Sequence, residues 1–307
     1  MIRIGTRGSQ LALWQAHHIA DRLRSLGHEV TIEVIRTTGD RLQEVTFAEV
    51  GTKGMFTLEI EQALAEGRID LAVHSLKDLP TTLPDGFTLA ATPPRVDPRD
   101  VLVSVRYASL NDLPAAARIG TSSLRRRSQL LAQRPDLHTM EFRGNVDTRL
   151  RKLAEGQVDA ILLAAAGLDR LEKTEWLRER LAPEILCPAA GQGALGIEAR
   201  IDDSATLAAL APLDDPATRF AVTAERTALA ALGGGCQVPV GVHCRPHPDH
   251  RWQILAVVAH PSGHPLLRAE STGTDPIALG RAVAEQLLAN GAVDLLAHVA
   301  ASGVARP

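Results

Sequence analysis

The sequence predicts an α/β protein with two similar lobes around a cleft, followed by a small C-terminal α+β domain. Before Pro216, short β-rich segments alternate with helical segments, which is typical of a mainly parallel sheet with helices on its faces. Two short patterns recur in the same order: Ile4-Gly5-Thr6 returns as Ile119-Gly120-Thr121, and Leu64-Ala65-Glu66-Gly67 returns as Leu153-Ala154-Glu155-Gly156. After Pro216 the strands and the helix are grouped, which predicts a separate domain.

The first lobe opens as strand, turn and helix. Arg3-Ile4-Gly5 ends a short strand, and Ser9 is placed to cap a helix with apolar residues at helical spacing, which Gly27 ends. The further elements expected in this lobe are a strand over 30–37, a helix over 55–66 and a buried strand over 71–73.

Prolines and glycines mark the crossings between the lobes, the first of them over 93–98. The predicted domains are 1–93 with 194–211 for the first lobe, 98–188 for the second lobe and 216–307 for the third domain. In that third domain we expect helices over 217–232 and 277–289 and strands over 238–244 and 252–260. Because open α/β sheets bind ligands at the carboxyl ends of their strands, two such lobes predict a ligand-binding cleft.

The composition is that of an ordinary globular protein and disfavours two classes of partner. The 307 residues are 45% apolar and 22% charged, with a net charge of −3 and 3% aromatic residues, which argues against a nucleic-acid binder. No run approaches about 18 apolar residues and the opening residues lack a signal-peptide pattern, so we expect a cytoplasmic protein without a membrane partner. The three widely spaced cysteines fit a reducing compartment.

Arginines and hydroxyl side chains cluster where helices follow strands. The run from Thr121 through Ser123 to Arg125, Arg126 and Arg127 opens a helix, where free backbone N–H groups and the helix dipole attract an anion. Arg143 with Arg149, and Arg7 with Ser9, mark two further basic helix starts. The alternative is a set of capped surface helices with solvated arginines, because only four of the 33 basic residues are lysine.

Two loops carry further candidate chemistry. Ser75-Leu76-Lys77-Asp78 directly follows a buried strand, where a carboxylate can stabilise a developing cation or transfer protons. An exposed turn with a solvated Lys–Asp pair is the alternative. Asp40 is a second carboxylate candidate, and Lys53 lies in a glycine-flanked loop that is either a lid or a plain connection.

Three glycines lead into a lone cysteine in Gly233-Gly234-Gly235-Cys236-Gln237-Val238-Pro239. Such a loop can hold a sulfur at the surface as a nucleophile or attachment point, although a small buried cysteine in a tight turn is the alternative. Gly191-Gln192-Gly193-Ala194-Leu195-Gly196 matches a dinucleotide-binding pattern but precedes an alternating, strand-like run, so we expect a crossing between lobes. The histidines over 243–264 fit no zinc spacing, and no metal is expected.

Taken together, these motifs resemble the porphobilinogen deaminase family over about residues 1 to 245. The strings that carry the resemblance are Thr6-Arg7-Gly8-Ser9, Leu11-Ala12-Leu13-Trp14-Gln15-Ala16, Lys53-Gly54, His74-Ser75-Leu76-Lys77-Asp78-Leu79-Pro80, Gly120-Thr121-Ser122-Ser123-Leu124-Arg125-Arg126, Arg143-Gly144-Asn145, Thr148-Arg149-Leu150, Gly191-Gln192-Gly193 and Gly234-Gly235-Cys236-Gln237-Val238-Pro239. They occur in the order that the family has.

The resemblance implies two lobes like those of periplasmic binding proteins and a third domain that bears the cysteine. It implies a transferase that polymerises four porphobilinogen units head to tail with loss of ammonia, giving hydroxymethylbilane for haem and other porphyrins. Cys236 then carries a dipyrromethane cofactor through a thioether. Deamination leaves an azafulvene whose positive charge needs a fixed anion, and the motif position assigns this catalytic role to Asp78. A monomer is expected.

Each pyrrole carries an acetate and a propionate, so the growing chain needs many carboxylate partners. The residues expected to bind the cofactor besides Cys236 are Ser75, Lys77, Asp78, Thr121, Ser123, Arg125 and Arg126. The residues expected to bind substrate are Arg7, Ser9, Lys53, Arg143, Arg149, Arg170 and Gln192.

This chain departs from the family pattern at a few positions. Leu58 replaces a lysine that many members carry, Gln10 replaces a common proline, and Arg127 either extends the arginine pair or is a surface residue. None of these departures touches Asp78 or Cys236. The competing hypothesis is a noncatalytic two-lobed anion-binding protein, which explains the arginines but not the Gly–Cys loop.

Overall fold

The computed structural model describes residues 1–37, 57–233 and 238–301. These residues form two compact units. The first unit contains Met1–Val96 and Ala194–Arg219, and the second contains Asp97–Gly193 and the chain from Phe220 onward.

The chain begins with β1 (Ile2–Thr6), α1 (Gln10–Ser25), β2 (Val30–Val34), α2 (Leu58–Ala65), β3 (Leu71–Ser75), β4 (Phe87–Ala91), β5 (Asp100–Val103), β6 (Arg118–Gly120), α3 (Leu124–Gln133), β7 (His138–Met140), α4 (Val146–Ala154), β8 (Ala160–Ala164), α5 (Ala165–Arg170) and β9 (Leu177–Arg180). It continues with β10 (Leu195–Arg200), α6 (Ser204–Leu210), α7 (Pro216–Ala231), β11 (Val240–Pro246), β12 (Trp252–Ala259), β13 (Leu266–Gly273), α8 (Pro276–Leu287) and α9 (Val293–Ala301).

The first unit is built on a five-stranded sheet in the order β2-β1-β3-β10-β4. Strand β1 pairs in parallel with β2 and β3, whereas β10 is antiparallel to both β3 and β4. Alternate residues of the strands form two cores, one packed against α1 and α6 and the other against α2. Because β1 and β3 are parallel neighbours, the turns that follow them lie at the same edge of the sheet.

The second unit contains a sheet with the equivalent order, β7-β6-β8-β5-β9. Strands β6, β7 and β8 are parallel, and β5 is the antiparallel strand. Helix α3 covers one face, and α4 and α5 cover the other. The recurrence of one strand order in both sheets, each with one reversed strand, confirms two similar α/β lobes.

The chain after Phe220 adds a three-stranded antiparallel sheet, β11-β12-β13. Helices α7, α8 and α9 pack on one face of it, and Leu255 and Val257 on the other face contact Cys187. The approach there is close, because a Cβ added at Gly241 would lie 2.6 Å from the carbonyl oxygen of Cys187. The predicted small α+β domain is confirmed, and within the second unit it packs directly against the lobe.

The element boundaries agree with the sequence signals at some positions and differ at others. Ser9 caps α1 by accepting a hydrogen bond from the backbone N–H of Ala12 at 3.3 Å. Strand β2 ends at Val34, earlier than the predicted Thr37. The glycine motif at 191–196 leads into β10 and not into a helix, as expected for a crossing. In the ranges that the structure describes, no helix is both long and apolar enough to span a bilayer.

Candidate active site

The turn after β3 presents the first candidate carboxylate. Ser75 ends the strand, and residues Leu76–Asp78 form one turn of 3₁₀-helix. Leu76 and Leu79 are buried, Lys77 is half-buried and Asp78 is exposed. The two leucines therefore hold the backbone of the turn in the core while the Asp78 carboxylate faces outward.

The turn after β1 lies beside it in the same sheet. Thr6, at the end of β1, donates its hydroxyl to the carbonyl oxygen of Ala12 at 3.1 Å, which ties the strand end to the first turn of α1. Arg7 and Ser9 are both half-buried. Helix α1 also contacts the neighbouring turn, because the buried Gln15 donates its Nε2 to the hydroxyl of Ser75 at 2.8 Å. Ser75, Asp78, Arg7 and Ser9 thus share one edge of the first unit.

In the second unit, hydroxyl side chains organise the start of α3. The Ser123 hydroxyl caps the helix by accepting from the backbone N–H of Arg126 at 3.4 Å, and the Ser123 N–H donates to the hydroxyl of Thr121 at 3.2 Å. Ser122 accepts from the backbone N–H of Phe142 at 2.9 Å, which joins this turn to the one after β7.

The turn between β7 and α4 carries the second basic pair. Asn145 caps α4 by accepting from the N–H of Thr148 at 2.8 Å. Arg143 is exposed, with its Nε 3.1 Å from Glu141, and Arg149 is half-buried. Because β6 and β7 are parallel neighbours, both basic helix starts lie at the same edge of this sheet.

A fully buried carboxylate, Asp100, is the centre of the arginine cluster. Arg125 donates to its two oxygens at 2.6 and 3.3 Å, and Arg126 donates from Nε and Nη2 at 2.9 and 2.7 Å. Arg125 and Arg126 are only 5% and 6% exposed. Both arginines of the motif therefore turn inward, toward the first residue of β5.

The electrostatics of this cluster favour a further anion. Burial alone would raise the pKa of Asp100, but the charges and hydrogen bonds of Arg125 and Arg126 outweigh it and hold that pKa well below its usual range. Two guanidinium groups face one carboxylate, so these three groups together keep one positive charge in a buried setting. A carboxylate ligand that approaches the cluster would meet an attractive field.

The crossing turn at 191–193 joins this cluster. Gln192 is fully buried and donates its Nε2 to Asp100 at 3.0 Å and to the carbonyl oxygen of Pro98 at 2.7 Å. Arg170 donates its Nη2 to the carbonyl oxygen of Gly193 at 2.8 Å. Burial lowers the pKa of Arg170 to about 10, and the negative charge of Asp169 partly opposes this. Of the sequence-predicted residues, Arg125, Arg126, Gln192 and Arg170 are brought together here.

Two of the three cysteines have buried thiols. Cys187 is fully buried, and burial raises the pKa of its thiol far above the ordinary value. Cys244 is 2% exposed, on strand β11. Because thiolate formation and access both control cysteine reactivity, neither is suited to form a covalent bond with a ligand.

Three residues that the sequence singled out lie outside the described residues. Lys53 and the alternative carboxylate Asp40 fall within 38–56, and Cys236 falls within 234–237. Arg127, which left two interpretations open, is exposed on α3 and so is a surface residue.

Asp100 is the main residue of the candidate site that sequence reasoning missed. It lies two residues after Pro98 and directly precedes the apolar run Val101-Leu102-Val103, and an acidic residue at the start of a buried strand was a usable signal. Gln15 was also missed as a partner of Ser75, although it is a polar residue on the buried face of α1, in register with Ile19 and Leu23.

Comparisons with known proteins agree along the chain. Residues 2–208 match the family model described as porphobilinogen deaminase, dipyromethane cofactor binding domain, and residues 219–289 match the porphobilinogen deaminase C-terminal domain. The porphobilinogen deaminase of Brevibacillus brevis is 51% identical and covers 97% of each chain. That of Thiobacillus denitrificans is 52% identical over 95% of this chain and 96% of its own.

A third relative and a solved structure were also compared with the chain. The porphobilinogen deaminase of Roseiflexus castenholzii is 52% identical over 96% of this chain and 98% of its own. Among solved structures, a nutrient binding protein from Burkholderia cenocepacia bound to methionine aligns with a TM-score of 0.44 and 14% identity, over 70% of this chain and 92% of its own.

Proposed function

The chain belongs to the porphobilinogen deaminase family, and we propose that Asp78, Cys236 and the buried arginines of α3 carry the family's reaction in it. The enzyme is a transferase of tetrapyrrole biosynthesis that joins four porphobilinogen units head to tail, with loss of ammonia, and yields hydroxymethylbilane. At each addition the C–N bond of the incoming unit's aminomethyl group breaks and ammonia leaves. A C–C bond forms between the remaining methylene carbon and the free ring carbon of the chain's terminal pyrrole, which loses its proton. After four additions, hydrolysis releases the tetrapyrrole, and water supplies the hydroxyl group of the product.

The donor set of the second unit fits the dipyrromethane cofactor. When bound, that cofactor supplies the primer to which the pyrroles are added, and its two rings carry acetate and propionate groups. The Asp100 cluster already orients two guanidinium forks on a carboxylate and keeps one positive charge in excess. We propose that Arg125 and Arg126, with the hydroxyls of Thr121 and Ser123, hold cofactor carboxylates through this charge. In the first unit, Ser75 and Lys77 are proposed to do the same.

Cys236 is the proposed attachment point. The glycine-rich loop around it follows α7, and Gly233 has a positive φ of 67°, a conformation that favours glycine. Supporting this assignment, the thiols of Cys187 and Cys244 are enclosed in packed apolar surroundings. A thioether to either of them would need the core to open.

Asp78 is the proposed catalytic residue. Its carboxylate is exposed on a turn whose flanking leucines are buried, so a substrate can reach the charge while the backbone stays in place. A fixed carboxylate stabilises the positive charge that develops on the pyrrole as ammonia leaves. The same oxygens are proposed to accept the pyrrole proton, which requires them to come within hydrogen-bond reach of it.

The remaining predicted residues are proposed to contact the substrate pyrroles. They are Arg7, Ser9, Lys53, Arg143, Arg149, Arg170 and Gln192. Gln192 donates a hydrogen bond to Asp100, and Arg170 donates one to the carbonyl oxygen of Gly193. We therefore propose that these two residues also fix the conformation of the crossing turn at 191–193. We further propose a cytoplasmic monomer with three domains, divided as 1–93 with 194–211, 98–188 and 216–307.

Catalysis, as opposed to binding, is tested by the stoichiometry of ammonia release. Purified protein incubated with porphobilinogen is expected to release one ammonia for every pyrrole consumed and to form hydroxymethylbilane, because the leaving group departs at each addition. The readouts are enzymatic ammonia determination and separation of the tetrapyrrole product. Porphobilinogen that stays bound and unconverted, with no ammonia, would indicate the noncatalytic anion-binding protein instead.

A further inference from the structure

A buried polar pair lies behind the candidate catalytic turn. His74 of β3 and Glu198 of β10 are 8% and 0% exposed, and their Nε2 and Oε2 atoms are 3.0 Å apart. The register places His74 opposite Gly196 and Ala72 opposite Glu198, so both side chains project from the sheet face that α2 covers. Both side chains are enclosed on the side of the sheet that packs against α2, and neither is among the residues proposed to bind cofactor or substrate.

The turn that bears Asp78 is anchored on both faces of the sheet. On the α1 face, Ser75 accepts the hydrogen bond from Gln15; on the α2 face, the preceding residue His74 is bound by Glu198. The backbone N–H of Leu76 also donates to the carbonyl oxygen of Ala194 at 3.1 Å, just before β10. The last two residues of β3 are thus tethered in opposite directions, four and three positions before Asp78.

Glycine in β10 completes this anchoring. A Cβ added at Gly196 would lie 2.8 Å from Leu76, 3.0 Å from Leu89 and 3.1 Å from Leu79. Leu76 and Leu79, which flank Lys77 and Asp78, therefore fold back over the glycine beside the His74–Glu198 pair. The position of the turn depends on how β3 and β10 are held together at this end.

Stability alone is a poor explanation for the pair. Glu198 Oε1 is buried and has no hydrogen-bond partner among the described residues, and an unsatisfied buried oxygen is destabilising. Glu61 of α2 adds a second carboxyl to this region, and burial raises its pKa. Well-packed apolar residues of similar volume are often as stable as a buried polar pair, or more so. The hydrogen bond between His74 and Glu198, by contrast, is directional and fixes the position of β3 relative to β10.

We propose that His74 and Glu198 are positioning residues for the reaction, acting through the end of β3 to hold the Asp78 carboxylate in place. This inference rests on the proposed catalytic role of Asp78. Because the carboxylate must face a charge that exists only as ammonia leaves, a small displacement of the turn reduces kcat more than substrate binding.

The test compares His74→Leu, which removes the bond, with His74→Gln, which keeps a donor near the same place. Per mole of cofactor-loaded enzyme, we expect His74→Leu to lower kcat about tenfold or more with KM within about threefold, and His74→Gln to restore kcat to within about threefold of wild type. Intact mass gives the loaded fraction, so a loss of cofactor is not mistaken for a loss of rate.

Asp70→Asn is the matched control for stability. Asp70 directly precedes β3 at its other end and accepts from the backbone N, Nε and Nη2 of Arg3 at 2.8, 3.1 and 2.6 Å. Its loss weakens the same strand away from the turn, so Tm is expected to fall while kcat stays within about twofold. A His74→Leu enzyme whose kcat per loaded enzyme equals that of Asp70→Asn would overturn the inference.

A second variant and a parallel measurement make the experiment decisive. If His74→Leu does not fold, Glu198→Leu removes the same hydrogen bond from the other side; a kcat per loaded enzyme reduced at least about threefold relative to Asp70→Asn supports the inference, and an equal kcat overturns it. Asp78→Ala is measured in parallel. Full activity in Asp78→Ala would refute the proposed role of Asp78 itself, whereas an inactive Asp78→Ala beside an unaffected His74→Leu refutes only the positioning role.

Discussion

Asp78→Ala is expected to fold normally and to lose nearly all turnover, by about a hundredfold to ten-thousandfold in kcat. The loss follows because alanine removes both the fixed negative charge and the proton acceptor that we propose for the reacting pyrrole. The fold is retained because the Asp78 side chain is exposed and the turn is held by buried Leu76 and Leu79. The measurement is the rate of hydroxymethylbilane formation per mole of cofactor-loaded enzyme, with Tm measured on the same preparation.

The chain offers a control of the same residue type a few positions later. Asp85 is exposed in the segment between β3 and β4, and Asp85→Ala is expected to leave both kcat and Tm close to wild type. Asp78→Asn separates the two proposed contributions, because it keeps the size and hydrogen-bonding ability of the side chain but removes its charge. Product formation by Asp78→Ala at close to the wild-type rate contradicts the catalytic assignment.

Asp100→Asn is expected to destabilise the second unit strongly and to impair cofactor loading. It removes the buried carboxylate to which both Arg125 and Arg126 donate, and an uncompensated buried charge costs about 3–5 kcal/mol of folding free energy. Without that carboxylate, the Arg125 and Arg126 guanidiniums lose the charged partner that they share, so their orientation toward a ligand is less well fixed. Denaturant unfolding gives the stability change, and intact mass gives the loaded fraction.

The pH dependence of this effect has a definite sign. The folded-state pKa of Asp100 lies below its unfolded value, so its stabilisation is present at pH values above about 4 and is lost as pH falls toward the folded-state pKa. The stability difference between wild type and Asp100→Asn should therefore be largest near neutral pH and shrink on acidification. A difference that stays constant or grows toward low pH contradicts the charge account.

Asp97 provides the matched control for Asp100→Asn. It also pairs with two arginines, Arg99 and Arg180, but these side chains are 40% and 28% exposed. Because partly exposed ion pairs contribute little, Asp97→Asn is expected to cost no more than about 1 kcal/mol and to leave cofactor loading unchanged. If Asp97→Asn and Asp100→Asn had equal effects on stability and cofactor loading, burial of the Asp100 cluster would not explain either effect.

The parts of the fold that depend on local signals could be predicted from the sequence. Ser9 caps a helix as predicted, a helix starts within the run from Thr121 to Arg127, and the repeated Ile-Gly-Thr pattern does mark equivalent strands, β1 and β6. Strand direction was not predictable in the same way. Strands β10 and β5 are the reversed strands of their sheets, and their pairing partners lie far away in the chain, so alternation of strands and helices alone indicated mainly parallel sheets.

The candidate site shows the same division between local and distant information. Motif positions identified the turns with Asp78 and with Arg125 and Arg126, because each turn follows directly from a strand end. The hydrogen-bond partners of the site residues could not be predicted, because they are distant in the sequence. The separation is 25 residues for Asp100 and Arg125, 60 for Gln15 and Ser75, and 124 for His74 and Glu198. Periodicity indicates which face a side chain occupies, but a contact between distant strands depends on their register, which only tertiary packing determines.

The intact mass of the denatured protein tests most directly whether this chain carries a covalent two-pyrrole primer on Cys236. Wild type, purified as expressed or after incubation with porphobilinogen, is expected to exceed its sequence mass by two linked pyrroles. Cys236→Ser is expected to show the unmodified mass under both conditions, whereas Cys187→Ser, which alters a buried thiol, should keep the adduct. A wild-type mass that stays unmodified after incubation, or an adduct that persists in Cys236→Ser, would contradict the account.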